Sequence, residues 1–176
     1  MGSVSIILRR PPYGSVDASE AIRHALGGII EEMEVKLILV DGGVAAARKG
    51  HNVSGTEYSS IEEGIKDCID MGALVYADKA SMKDHHLDSG DMIEGVMIAN
   101  GSDIAERISE SDITMIFRGG YMLVIIKRAP DTPEGKRGIK LARDMAADLF
   151  LIQNGVYFAQ EERLEGFCGT AYVLED

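Results

Sequence analysis

Tryptophan is absent from the 176 residues, cysteine occurs twice and proline four times. Two cysteines far apart, Cys68 and Cys168, make no disulfide framework, so a reducing cytoplasm is the expected location. No Cys-x-x-Cys pair occurs, and the adjacent His85 and His86 would point about 100° apart on a helix, so no metal site is expected. No uncharged apolar run approaches the ~20 residues that span a bilayer, so no membrane association is expected. Met1-Gly2-Ser3 is too brief to flank a signal peptide before Val4-Ser5-Ile6-Ile7-Leu8. Basic residues are scarce as well: 18 Lys and Arg stand against 29 Asp and Glu, a formal net charge of −11. Such a surface repels phosphate backbones and excludes direct nucleic-acid binding without a local basic patch. Gly42-Gly43 belongs to neither a G-x-G-x-x-G nor a Walker sequence, and no cofactor is expected.

What is present is the raw material of a globular core, 45% hydrophobic and 27% charged residues. Ser3–Leu8, Val35–Val40, Ala73–Ala77 and Ile113–Phe117 are short Val/Ile-rich runs that read as buried strands. Between them lie helical stripes. Ala18, Ile22, Ala25, Leu26, Ile29 and Met33 recur at three- and four-residue steps after a capping pair at Asp17 and Glu20. Ile61, Ile65, Cys68 and Ile69 do the same behind Ser60 and Glu63. Short helices are expected over 79–86 and from a cap at Ser102. The alternation predicts an α/β fold, a mostly parallel sheet flanked by helices in three layers, flavodoxin-like. Ligand loops then fall after the strands, at Arg9–Gly14, Asp41–Gly43 and Asp78–Ser81.

The chain also repeats itself. Ile6-Ile7-Leu8-Arg9-Arg10-Pro11-Pro12 is echoed by Val124-Ile125-Ile126-Lys127-Arg128-Ala129-Pro130. Leu37–Val44 is echoed by Leu149–Val156, and Leu74-Val75-Tyr76 by Ala171-Tyr172-Val173. Thr132-Pro133-Glu134 opens the helix between the first two echoes. Two related α/β units in tandem are expected, 1–118 and 119–176, the second incomplete. A three-strand unit with an open edge is marginal alone, so it should lie on the first unit or on a partner.

Several short motifs in order resemble the DsrE/DsrF/DsrH (TusD/TusC/TusB) sulfur-relay family. Pro12-Tyr13-Gly14-Ser15 matches its P-[HY]-G-[ST] loop, Asp41-Gly42-Gly43-Val44 its DGV turn, and Leu74–Met82 its third strand and following helix. Asp112–Phe117 matches the last strand of a DsrF/TusC-like unit. Gln153-Asn154-Gly155-Val156 and Ala171–Asp176 are similar to DsrH/TusB landmarks. The resemblance implies a component of a cytoplasmic hetero-oligomeric complex that moves persulfide sulfur, in sulfur oxidation or tRNA thiolation. Its partners would be a DsrE/TusD-like subunit and a sulfur-carrier protein. In that family the persulfide cysteine sits near the end of the third strand. Here Ala77 occupies that place, which points to a non-catalytic binding or scaffold role.

The candidate residues follow. Tyr13, Gly14, Asp41, Gly43, Asp78 and Ser81 would line a site at the strand ends. Asp41 and Asp78 are equally explained as turn and cap formers. Relay chemistry needs a thiolate. Cys68 lies on an apolar stripe and reads as a core thiol. Cys168, between Gly166-Phe167 and Gly169 before the last strand, would be the nucleophile if the protein is instead a sulfurtransferase, on the edge opposite the ligand loops. A small-molecule-binding regulator on the same fold is a third reading.

Overall fold

In a computed structural model, residues 2–117, 122–160 and 163–174 are described. Eight strands form one sheet: β1 (Ser3–Leu8), β2 (Glu34–Leu39), β3 (Leu74–Asp78), β4 (Met97–Ala99), β5 (Ile113–Phe117), β6 (Met122–Ile126), β7 (Asp148–Leu151) and β8 (Ala171–Val173). Their order is β4-β3-β2-β1-β5-β6-β7-β8. Every neighbouring pair is parallel except β5 and β6, which run antiparallel with Phe117 opposite Met122. The mostly parallel α/β sheet read from the sequence is therefore present. Both segments contribute to the same sheet, and the boundary expected at 118/119 lies outside the described residues.

The helices are α1 (Asp17–Ile30), α2 (Ile61–Asp70), α3 (Lys79–Asp84), α4 (Gly101–Glu110) and α5 (Pro133–Asp144). One face of the sheet is buried by α1, α2 and α5, which share a core with Ile6, Leu37, Val75, Met115, Val124 and Leu149. The other face has a smaller core, in which Ile104 of α4 meets Ile7, Ile38 and Ala99, flanked by Tyr76, Ile108 and Ile116. Alternate residues of each strand thus serve opposite layers.

Helix starts correct the sequence in two places. Asp17 lies inside the first turn of α1, whose N-cap is Val16 without a side-chain cap, so Asp17 and Glu20 form no capping pair. Asn100, not Ser102, caps α4, accepting from the Asp103 N–H. Ser60 and Thr132 cap α2 and α5 as expected. The strand β4 has no strong signal: three residues at the sheet edge, with Met97 and Ile98 exposed, carry no alternation to read.

The echoed segments have matching backbones. The turn after β2 is a 3-10 helix, Asp41–Ala47, entered through Asp41 at φ 49°; after β7 it is Gln153–Ala159, entered through Gln153 at φ 50°. The Gly43 N–H donates to the carbonyls of Arg9 and Val40, and the Gly155 N–H to those of Lys127 and Ile152. A Cβ on Gly43 would collide with the Leu8 carbonyl, and one on Gly155 with that of Ile126. The glycine is thus set by the close approach of a neighbouring strand end.

Candidate functional site

The first segment brings three loops to the carboxyl ends of β1, β2 and β3. Arg9 leaves β1 and reaches across to Asp41, donating from Nε at 2.8 Å with a second nitrogen at 2.6 Å. Both side chains are about half exposed, 50% and 55%, so the pair orients the turn more than it stabilises the fold. The Asp41 N–H donates to Ser81 Oγ at 2.9 Å. The Ser81 hydroxyl in turn donates to Asp78 Oδ2 at 2.5 Å, and the same oxygen accepts the Ser81 N–H at 2.8 Å as the cap of α3. Asp41 and Asp78 therefore belong to one chain of contacts, Arg9–Asp41–Ser81–Asp78, with the buried Ser81 as its link. Gly43 lies buried beneath it.

Tyr13 stands in a second, adjoining network. In the neutral ring His51 Nε2 donates to the Ala45 carbonyl at 3.0 Å, which leaves Nδ1 to accept from the Tyr13 hydroxyl at 2.9 Å. The Tyr13 oxygen also accepts the Ile61 N–H at 3.3 Å, at the start of α2. Glu62 Oε2 accepts the backbone N–H groups of His51 and Gly50, and the first of these, with Lys66, holds its carboxyl below the usual range. Gly14, at φ 92°, is exposed and has nothing within 4 Å of where a Cβ would stand. It shapes the loop and touches neither network. Arg9 and His51 are the members that sequence reasoning missed.

The thiols lie apart from these groups. Ala77 is fully buried at the end of β3. Cys68 is fully buried in the α2 stripe, and burial pushes its thiol up to about 11, which suppresses the thiolate at neutral pH. Cys168 is exposed, its Sγ 3.8 Å from the Gly166 carbonyl. Its edge is the opposite of the one expected. Because β6, β7 and β8 run against β1–β5, the amino end of β8 shares an edge with the carboxyl ends of β1–β3. It is still six strand spacings from β3, about 29 Å at ~4.8 Å per strand.

Chemically, the assembled loops offer a half-exposed ion pair, a phenol and an imidazole, each already hydrogen-bonded. The Ser81 hydroxyl is committed on both sides, which leaves it unsuited to attack a substrate. Among the described residues, no group of three His, Cys, Asp or Glu side chains could hold a metal. One groove, of about 360 Å³, lies away from these loops, between α1 and α5, floored by Val4, Ile113 and Met115. Among the described residues no helix is long and apolar enough to cross a membrane.

The sequence matches the model of the DsrE/DsrF-like family over residues 2–117, which takes in β1–β5 and the loops just described. The chain belongs to that family. Two archaeal relatives are each 34% identical: the uncharacterized protein MK0008 of Methanopyrus kandleri, over 65% of this chain and 93% of its own, and the uncharacterized protein MJ0989 of Methanocaldococcus jannaschii, over 64% and 97%. The crystal structure of the YchN protein from E. coli superposes with a TM-score of 0.62 at 21% identity, covering 66% of this chain and all of its own. The structure of MTH1491 from Methanobacterium thermoautotrophicum gives 0.51 at 14%, with the same coverages. At those identities the two structures share the fold. The family match stops at Phe117, so β6–α5–β7–β8 is an addition to the matched domain.

Proposed function

We propose that this DsrE/DsrF-family protein is a binding and scaffold component of a cytoplasmic sulfur-relay complex, serving sulfur oxidation or tRNA thiolation. It presents the carboxyl edge of β1–β3 to a DsrE/TusD-like subunit and a sulfur-carrier protein and forms no persulfide itself. Residues 119–176 are its DsrH/TusB-like part. One observation supports this above others: the strand-end position at which the family carries sulfur holds the buried Ala77. Linked to it through Asp78 and Ser81 is the Arg9–Asp41 pair, whose exposed charges suit recognition of a complementary pair on a protein surface. Neither Cys68, buried and poorly ionised, nor Cys168, far along the sheet, can hand sulfur to that place.

The sulfurtransferase reading keeps one observation in its favour, the exposure of Cys168. The test mixes the protein with a persulfide donor, reads the addition of a sulfur atom by intact mass, and then adds an acceptor thiol protein. The scaffold role expects no transferable sulfur on the wild type. It also expects binding to a persulfide-bearing DsrE-like subunit to weaken at least about tenfold in Asp41→Arg. Sulfur that passes to the acceptor from the wild type but not from Cys168→Ser makes the protein a sulfurtransferase.

A further inference from the structure

Three side chains on α3 and the turn after it break local rules. Asp78 caps the helix, but Lys79 puts a positive charge on its first residue, the end where the helix dipole favours an anion. Lys83 repeats the charge one turn on, and like charges at i, i+4 repel. Among the described residues Lys36 and Lys66 are paired with carboxylates, and Lys79 and Lys83 are not. His86 stands at φ 55°, in the left-handed position after the helix that glycine ordinarily takes. None of the three helps α3 to form, and a local rule broken without a gain in folding points to function.

All three line one cavity. A groove of about 500 Å³ opens between α3 and the edge strand β4, and Lys79, Lys83 and His86 share its lining with Met82, Leu87 and Ile98. The apolar wall follows from how α3 ends. The Leu87 N–H donates to the Met82 carbonyl at 2.9 Å and the His86 N–H to that of Lys83 at 3.1 Å, which brings Leu87 back beside Met82. Ile98, 40% exposed, supplies the opposite side. Asp88 also lines the groove, but its carboxylate is occupied by the Gly90 N–H at 2.8 Å. Other grooves carry no such excess of one sign. Between α1 and α5, Arg137 and Lys140 stand with Glu31 and Asp144; beside α2, Lys49 and Lys66 stand with Glu62, Asp70 and Glu94. In a chain of net charge −11, the α3–β4 groove is set apart by unneutralised cations over an apolar wall.

We infer that this groove binds a small phosphate monoester with an apolar tail. Lys79, Lys83 and the His86 imidazole hold the head, and Met82, Leu87 and Ile98 take the tail. Charge complementarity selects an anion, and lysines favour a compact, multiply charged head over a planar carboxylate, which an arginine fork fits better. The volume lies in the range of small-ligand pockets. The groove adjoins the strand-end loops, since Lys79 follows Asp78 and Ile98 pairs with Ala77. Its assignment stands on charge and shape and is independent of the sulfur-relay reading.

The probe is octyl phosphate, titrated below its micellar range into the isotope-labelled full-length protein while backbone amide shifts are followed. Saturable shifts confined to 79–89 and 97–99 are expected, with an affinity at least about tenfold above that of inorganic phosphate. Octyltrimethylammonium, the same tail with the charge reversed, should not bind. Lys79→Glu combined with Lys83→Glu should weaken octyl phosphate at least about tenfold. Ile98→Ser should weaken it about threefold and leave inorganic phosphate unchanged. His86→Gly separates binding from folding. Glycine suits that backbone, so the thermal midpoint should hold or rise while binding falls about threefold. Absence of saturable shifts at millimolar octyl phosphate overturns the inference. So do equal binding of octyltrimethylammonium, undiminished binding in the double lysine variant or in His86→Gly, and shifts centred on the α1–α5 groove.

Discussion

The first and second halves of the sheet share a backbone plan and differ in what hangs on it. Both run strand, helix, strand, 3-10 turn, with a positive-φ residue entering the turn and a glycine pressed on the end carbonyl of the preceding, adjacent strand. In the first half Arg9 and Asp41 meet across that turn. In the second half the same places hold Lys127 and Gln153, and Lys127 is drawn off to cap α4. The first also has Ser81 to tie the turn to the next helix, and its other face is covered. The comparison separates what folds a unit from what equips it. The glycine and the buried aliphatics are kept by packing. Among the described residues the ion pair and its serine link occur in the first half and not at the matching places of the second.

The strongest way to break this comparison is at the two glycines. Alanine at Gly43 or Gly155 would drive a methyl group into a strand-end carbonyl, and a backbone atom cannot swing aside as a flexible side chain can. Each substitution should destabilise the fold by about 3 kcal/mol or more in denaturant titration. If Gly155→Ala is nearly neutral while Gly43→Ala is severe, the second turn is only a loose copy of the first.

How much of this was legible follows from range. Helices and central strands are written locally: Ile61, Ile65 and Cys68 fall on one stripe, and Ser3–Leu8 is a Val/Ile-rich run ending in the consecutive apolar residues Ile6-Ile7-Leu8 of a doubly covered strand. Placing Asp41, Asp78 and Ser81 together also followed from strand ends alone. The direction of β6 was missed although it was available, since the four residues between Phe117 and Met122 are too few for a crossover and require β6 to run back along β5. That single reversal moved Cys168 to the other edge. Arg9 and His51 were missed for a different reason. Their partners are 32 and 38 residues away, and only the folded loops decide which side chain a long arginine or an imidazole will meet.

A smaller effect tests how the halves are locked together. Asp112, at the foot of β5, accepts from the Ser3 N–H and hydroxyl and from Arg128 beyond β6 at 2.5 Å. Burial works against its charge, but Arg128 and Ser3 outweigh that and hold the carboxyl below its ordinary value. Asp112→Asn should lower stability by about 1–2 kcal/mol, discounted because Arg128 is 56% exposed. The sign with pH is fixed. The unfolded carboxyl takes up protons first as pH falls through ~4, so this contribution is full above that value and lost as pH drops through the folded one. Wild type and Asp112→Asn should therefore converge in stability at acid pH. A difference that persists there would mean the lock is packing and not charge.

The smallest effect separates the halves at their helix starts. In α5 the Thr132 hydroxyl accepts the Gly135 N–H at 3.0 Å, and Pro133 follows at the first helical position, where its missing donor does no harm. In α1 the cap position is Val16, whose side chain accepts nothing, and the Ser15 hydroxyl accepts the Asp17 N–H at a long 3.4 Å. Thr132→Ala should cost about 1 kcal/mol and Val16→Ala almost nothing, since valine contributes no cap and is 68% exposed. Hydrogen exchange sharpens the comparison beyond the global numbers. In Thr132→Ala the first-turn amides of α5 should exchange faster while those of α1 stay unchanged. Faster exchange spreading from α5 into α1 would show instead that the halves unfold as one cooperative body, joined through β5 and β6.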